Sequence, residues 1–335
     1  LNELDEPLGV LDGVTGGGCK VVAQSRLGGS AELSLDERGQ SVDWLKHRVR
    51  VSYDPGVTGV DGWDVGTYLF TSPRELHGEF VTGYGVSLLS KMSVIDEDTV
   101  EARYSLAEST AIIDTVVSLI QSTGETRISA TPSDAVLSSG MTWDAGTPKL
   151  TIINDLLAVA GYWALWCDGS GLFRVEPYVN PAGRPVAWRF RHGEESLHVP
   201  DWARERDMSS VPNRFVAVGQ GDDETEALVG VALNENPDSP FSFQSRGRWI
   251  TATEENVEAE SQSVLDEYAA RKLLDAMDPV SRIEVEHAVL PLNRNELVEF
   301  VPEDLVSRLA TVQSMTFRFD LESDCSAEWR EVLPV

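Results

Sequence analysis

Asp168-Gly169-Ser170-Gly171, inside the stretch ALWCDGSGLFRVEPYVNP (164–181), has the composition of a calcium-loop fragment: a carboxylate, a hydroxyl and two glycines. A calcium loop built around a turn glycine needs oxygen ligands at its first and last positions. With Gly171 as that glycine, those positions fall on Trp166 and Pro177, and neither brings a carboxylate. The register excludes the metal. The tetrapeptide accepts positive φ, and the aromatic-rich runs beside it, YWALWCD and GLFRVEPY, make it the turn of a β-hairpin. Gly171 is then expected to matter as a turn residue and Asp168 not to matter as a ligand, so that Asp168→Asn is nearly neutral.

Other residues with chemical potential are scattered. His47, His77, His192, His198 and His287 form no H-E-x-x-H, and none sits beside a cysteine at zinc spacing. Glu284-x-Glu286-His287 lies in a strand pattern, where 284 and 286 share a face and 287 opposes them, which reads as an exposed charged edge. No G-x-S-x-G elbow occurs. The acid groups Asp222-Asp223, Glu254-Glu255 and Asp96-Glu97-Asp98 have polar surroundings, whereas a glycosidase acid needs an apolar pocket that raises its pKa. Trp163, Trp166, Trp188 and Trp249 fall in strand-like apolar runs, where burial accounts for them. Gly16-Gly17-Gly18 and Gly28-Gly29 read as turns, without the strand and helix that a dinucleotide loop requires. These residues call for no catalytic group, no metal and no cofactor.

The elements around these residues change character along the chain. CKVVAQS, AELSLDE, HRVRVSYDP, VGTYLFTS and LHGEFVTGYG predict five strands before residue 100, as in a barrel or sandwich. Ser105-x-x-Glu108 predicts a capping box, followed by Ile112, Ile113, Val116, Val117 and Ile120 at helical spacing up to Gly124. ETRISAT predicts a strand. Thr147 as cap with Pro148 at the first helical position opens a second helix, whose buried stripe is Leu150, Ile153, Leu157 and Ala160. After the hairpin and the break NPAGRP, β patterns resume. One further helix, about 261–277, turns Val264, Tyr268, Leu273 and Leu274 inward. The order is β, then α/β, then β with one helix.

At 335 residues, with 41% hydrophobic and 24% charged residues, the chain is globular and has two or three domains. Its apolar runs are too short for a membrane span. LNELDEPLGV has neither the basic nor the apolar region of a signal peptide and lacks an initiator Met, so residues are expected to precede it. Cys19, Cys167 and Cys325 are odd in number and far apart, which predicts three free thiols in a reducing cytoplasm, with Cys19 and Cys325 in different barrels. The net charge is −28, and between Asp222 and Glu267 twelve acids face two bases, Arg246 and Arg248. Such a surface repels phosphates, which argues against nucleic-acid recognition.

Together these runs resemble one family. YWALWCDGSGLFRVEPYVNPAGRPV after a Pro-started helix, then DMSSVPNRFVAVGQG, the helix SVLDEYAARKLLDAM, LPLNRNELVEFVPEDL and TVQSMTFRFDLE are similar, in that order, to phage tail hub proteins. VGTYLFTSP with VTGYGVSLLSKM resembles their N-terminal portion. The likeness spans nearly the whole chain as a succession of degenerate motifs, and the hairpin with V-P-N-R-F-V is its most telling part. It is to a minor tail protein or tail-tip hub of a long-tailed phage, similar to contractile-tail baseplate hubs.

The resemblance implies an α+β, β-dominated fold of two tail-tube-like β-barrel domains, 1–104 and 181–335, with a small α/β domain, 105–180, between them. It implies a homotrimer whose six barrels match the six-fold tail tube, joining it to a trimeric tip. The implied neighbours are a distal tail protein or tail tube above and tail-tip, fibre or receptor-binding proteins below. The tape measure protein and genomic DNA would pass through the lumen. The implied location is the distal tip of the virion tail, after assembly in the host cytoplasm, with no membrane anchor. No catalytic residue is implied, and the end at Val335 leaves no room for a lytic or receptor-binding extension. Acids facing the pore would keep DNA mobile, and Asp222, Asp223, Glu224 and Glu226 are the candidates; the alternative is that their charge serves solubility. Two other readings stand beside the hub: a carbohydrate- or receptor-binding tail module, and a virion-associated glycan hydrolase.

Overall fold

The computed structural model describes residues 1–36, 38–77, 82–206, 208–219, 228–257, 261–276, 281–320 and 324–332. The N-terminal elements are β1 (Val14–Val22), β2 (Gly29–Asp36), β3 (Arg48–Tyr53), β4 (Trp63–Phe70), β5 (Arg74–His77), β6 (Thr82–Ser90) and α1 (Ser93–Glu97). A mixed segment follows: β7 (Tyr104–Leu106), α2 (Ile112–Gln121), β8 (Ile128–Ala130), β9 (Met141–Trp143), α3 (Lys149–Val159), β10 (Trp166–Cys167) and β11 (Phe173–Val175). Next come β12 (Val186–Arg191), β13 (His198–Arg206), β14 (Arg214–Gly219), β15 (Val229–Leu233), α4 (Phe243–Arg246), β16 (Thr251–Val257) and α5 (Gln262–Ala276). The chain closes with β17 (Ser281–Ala288), β18 (Leu297–Val301), β19 (Arg308–Arg318) and β20 (Asp324–Glu331). The fold is α+β and dominated by strands.

Two compact units divide the chain, Leu1–Trp202 with Glu284–Val335 and, inserted between them, Ala203–Ile283. In the first, strands from both ends of the sequence share one sheet. Strand β1 pairs antiparallel with β2 and with β19, so that Cys19 lies opposite Ala31 on one side and Phe317 on the other. Along the path β13-β17-β20-β19-β1-β2-β6-β4-β3 the described pairings end at β13 and β3. Strand β2 alternates buried Ala31, Leu33 and Leu35 with exposed Ser30, Glu32 and Ser34, the period of a sheet with one face on a core. Beneath the C-terminal strands, Phe190, Phe300 and Trp329 are buried together, with ring centroids 4.8 Å apart for Phe190–Trp329 and 5.4 Å for Phe300–Trp329.

Segment 105–180 supplies most of an apolar cluster that also takes in Met92 and Ile95 of the N-terminal part. Ile112, Ile113, Val116 and Ile120 of α2 meet Leu150, Ile153 and Leu157 of α3, with Phe173 and Val175 of β11 completing it. Strand β11 pairs antiparallel with β10 and parallel with β8. In the inserted unit, β14 lies between β15 and β16. Leu265, Ala269 and Leu273 of α5 pack on Phe215, Ala217, Ala232 and Val257.

Several local expectations need correction. Gly16, Gly17 and Gly18 are not a turn but part of β1. A Cβ on Gly17 would stand 2.2 Å from the Glu32 carbonyl oxygen, and one on Gly18 2.7 Å from that of Phe317, so close strand approach explains these glycines. Ser105 caps no helix: it lies in β7 with its hydroxyl 3.1 Å from that of Thr142, and α2 starts at Ile112 without a side-chain cap. Thr147 donates to the Asp144 carbonyl, and Pro148 is itself the N-cap of α3. The LHGEFVTGYG run divides between β5 and β6. On α5, Leu265, Ala269 and Leu273 face inward and Tyr268 is half-buried, while the side chains of Val264 and Leu274 lie outside the described residues. Cys19 and Cys325 share one sheet, each opposite Phe317 on neighbouring strands.

Candidate functional site

The DGSG turn is the most heavily bonded of the sequence candidates. In the hairpin, Trp166 lies opposite Arg174. Asp168 Oδ1 accepts from Ser170 N at 3.0 Å, Ser170 Oγ at 2.8 Å and Leu172 N at 3.1 Å, while Oδ2 accepts from Arg174 Nε at 2.8 Å. The carboxylate is the scaffold of its own turn. Asp168 is therefore not dispensable, because its removal orphans several donors at once. Gly171, at φ +84°, takes a conformation that side chains resist. A Cβ on Gly169 would lie 2.0 Å from the Asp64 carbonyl oxygen, so the turn presses directly on β4.

What fastens the turn to the sheet is a buried ring of charges. Lys91, 0% exposed, donates to Asp5 Oδ2 at 2.5 Å and to the Gly171 carbonyl at 2.7 Å, and its Nζ lies 2.9 Å from Glu125 Oε2. Arg48 Nη1 donates to Asp5 Oδ1 at 2.9 Å and its Nη2 to Glu125 Oε1 at 2.7 Å. Two cations and two carboxylates balance, and the three ammonium protons of Lys91 each have an acceptor. Burial pulls the Arg48 guanidinium down, and Glu125 and Asp5 more than reverse that pull. The ring joins the N-terminal segment, β3, the end of β6, the loop after α2 and the hairpin. Sequence reading missed it because its members are 34 to 86 residues apart along the bonded pairs. Nothing local marks them.

The remaining candidates stay apart. His198 and His287 are buried around Phe190, and burial pushes both imidazoles below their ordinary pKa. His47 Nδ1 accepts from Asp43 N, His77 is exposed beside Glu75, and His192 faces Glu303 at 3.5 Å. Glu284 and Glu286 are exposed and His287 is buried on the other face, as the strand parity requires, but β17 lies between β13 and β20 and is no edge. Asp96 pairs with Arg26 and Asp98 with Lys149. Hydrogen bonds from Tyr268 and Lys272 hold Glu254 below the usual carboxylate range, the opposite of a general acid. Trp163, Trp166 and Trp188 are half-buried, while Trp249 is exposed and stacks on Phe243 at 4.6 Å. Asp222, Asp223, Glu224 and Glu226 lie outside the described residues.

One surface of the first unit invites contact. Strand β3 ends the sheet path, with Leu1 and Arg48 exchanging two backbone hydrogen bonds at its start. An apolar groove of about 700 Å³ runs beside it, lined by Pro7–Leu11, Val14 and His47–Ser52. Leu8, Val10 and Leu45 stand 58%, 88% and 96% exposed around this edge. Strand β3 is an edge strand, paired on one side with β4 and met at its start by Leu1, and such an edge flanked by exposed aliphatic side chains is a template for pairing with another chain.

No known family profile matches the sequence, and no curated protein matches it. Solved structures do match the fold along its length. A tail protein from Neisseria meningitidis MC58 superposes with a TM-score of 0.67 at 11% identity, over 95% of this chain and 92% of that one. The 43 kDa tail protein of prophage MuSo2 from Shewanella oneidensis gives 0.64 at 13% identity, over 96% and 94%. A type VI secretion component of E. coli, described as structurally similar to the T4 tail proteins gp27 and gp5, gives 0.55 at 9% identity, over 96% and 74%. The chain has the fold of phage tail and baseplate-hub proteins.

Proposed function

We propose that this chain is a structural, non-enzymatic virion protein, a trimeric hub at the distal end of a phage tail. In this reading it joins the hexameric tail tube to a trimeric tip and forms part of the DNA channel. The observation that carries it is the match to tail proteins over nearly the full length of both chains, inserted unit included. The apolar groove and the edge strand β3 supply a surface for assembly. Among the described residues no helix is long and apolar enough to cross a membrane. In this reading the strands of 1–104 and 181–335 build the two tube-like barrels while sharing the β1–β19 pairing, with 105–180 as the attached α/β domain. The partners are two further copies, the distal tail protein or tube above, tip or fibre proteins below, and tape measure protein and DNA in the lumen.

Net charge sets the test. At −28 per chain, like charges oppose closure of a ring, and salt screens them over about 8 Å at physiological strength. Raising the ionic strength should therefore shift the purified full chain from the mass of one copy to that of three. A monomer at every salt concentration contradicts the trimer. Asp222, Asp223, Glu224 and Glu226 are the proposed pore acids. Replacing the first three with lysine should leave particles assembled and slow genome ejection, and unchanged ejection would place their charge outside the channel. The exposed Phe243–Trp249 stack favours one second reading, a carbohydrate- or receptor-binding module.

A further inference from the structure

Arg294, on the approach to β18, is 9% exposed. A guanidinium carries five N–H donors. Among the described residues those of Arg294 meet one acceptor, the Val22 carbonyl, at 3.4 Å from Nη1. The guanidinium stacks 5.2 Å above the Trp166 ring. It lies close over Gly28, where a Cβ would stand 2.5 Å from Nη1. The charged group that bears on Arg294 is the Cys167 thiol, and burial pushes that thiol up to about 12, so it stays neutral and brings no counter-charge. A buried cation without a counter-charge is unfavourable, and among the described residues the fold keeps one here.

Arg294 lines a cavity of about 170 Å³ within the first unit. Trp63 lines the same cavity, and its buried Nε1–H has no acceptor. Two acids also line it, but their carboxylates are engaged elsewhere. Asp64 Oδ1 accepts from Ser52 Oγ at 2.7 Å and its Oδ2 lies 3.7 Å from Arg50, while Asp168 is consumed by its own turn and Arg174. Among the described residues, the lining donors left short of acceptors are the Arg294 guanidinium and the Trp63 indole N–H, and Arg294 carries a positive charge. We propose that this cavity is a binding site for one small monovalent anion from solvent, a halide or a short carboxylate such as formate, held by the Arg294 guanidinium and the Trp63 indole N–H. A single charge matches a single charge, and an anion accepts from both donors at once.

The test uses the purified full chain at constant ionic strength, exchanging sodium gluconate, a far larger anion than formate, for sodium bromide or sodium formate. The melting temperature should rise saturably with bromide and with formate. Arg294→Met should abolish that rise. Trp63→Phe keeps a ring and loses the N–H, and should weaken the apparent affinity about three- to tenfold. Crystals soaked in bromide should show anomalous scattering within hydrogen-bond distance of both side chains. A response that follows ionic strength alone, or one equal in wild type and Arg294→Met, overturns the proposal. Water without bromide in the cavity also overturns it. Should Arg294→Met fail to fold, Trp63→Phe and the bromide signal decide the matter.

Discussion

At the scale of single residues, the DGSG turn is held by charge and not by metal. Lys91 is the centre of that arrangement, since its removal leaves Asp5 and Glu125 short of a donor in a buried site. Lys91→Met should destabilise the full chain by about 3–5 kcal/mol, the range for breaking a buried pair. Asp168→Asn keeps the Oδ1 acceptor of the turn but sets an amide N–H against Arg174, and should cost about 1–3 kcal/mol. Neither value should change when calcium is added, as read by chemical denaturation; a calcium-dependent gain that Asp168→Asn abolishes would restore the metal reading. The buried histidine makes a second prediction. Burial is the main cause that lowers the His287 pKa, against an opposing hydrogen bond to the Ala288 carbonyl. A group whose folded pKa is depressed is protonated more readily when unfolded, so its stabilising effect is present above the unfolded pKa and is lost as pH falls. Below about pH 6.5 stability should drop by up to about 1.4 kcal/mol per pH unit for this residue. His287→Gln should flatten the slope of melting temperature against pH, and an unaltered slope would show that His287 is not its source.

At the scale of elements, the edge strand carries the assembly argument. Val10 and Leu8 are exposed beside the β3 groove and lack partners that their removal would orphan. Leu8→Asp with Val10→Asp should change the unfolding free energy by less than about 0.5 kcal/mol, as surface changes do. The pair should block assembly measured by solution mass at high salt; normal assembly of the double variant would acquit this edge. The strands β2 and β17 are legible in the sequence because alternation of apolar and polar residues survives wherever one sheet face meets solvent. The hairpin is legible for a similar reason, with apolar runs flanking a turn that accepts positive φ. Strand β1 is not, since VTGGGCKVV carries the glycine run of a loop, and its need for glycine arises from strands far away in sequence. The capping signals at Ser105 and Thr147 misplace helix starts because tertiary pairing claims the first residue and a local turn the second. The charge ring leaves no local pattern at all. Each of its four members is an ordinary charged residue until the fold brings them together.

At the scale of the whole molecule, the order of elements is readable and the sharing of strands is not. The first and last segments look like separate β domains in sequence, yet β1 stands between β2 and β19 in one sheet. The chain leaves this sheet along β13 and returns along β17 after the inserted unit. Such long-range pairing is decided by packing, which periodicity alone cannot reveal. The fold matches tail proteins at 11% and 13% identity, a level at which the motifs have dissolved and the architecture remains. Acidity belongs to this scale as well: a net charge of −28 repels polyanions, as the proposed channel would require. A three-dimensional reconstruction of the tail tip from intact virions tests the hub reading most directly. It should show three copies of this chain in a ring beneath a six-fold tube, with β3 edges at the contacts between copies and a central channel. A reconstruction with this chain absent from the tube axis, or present there as separate single copies, would contradict it.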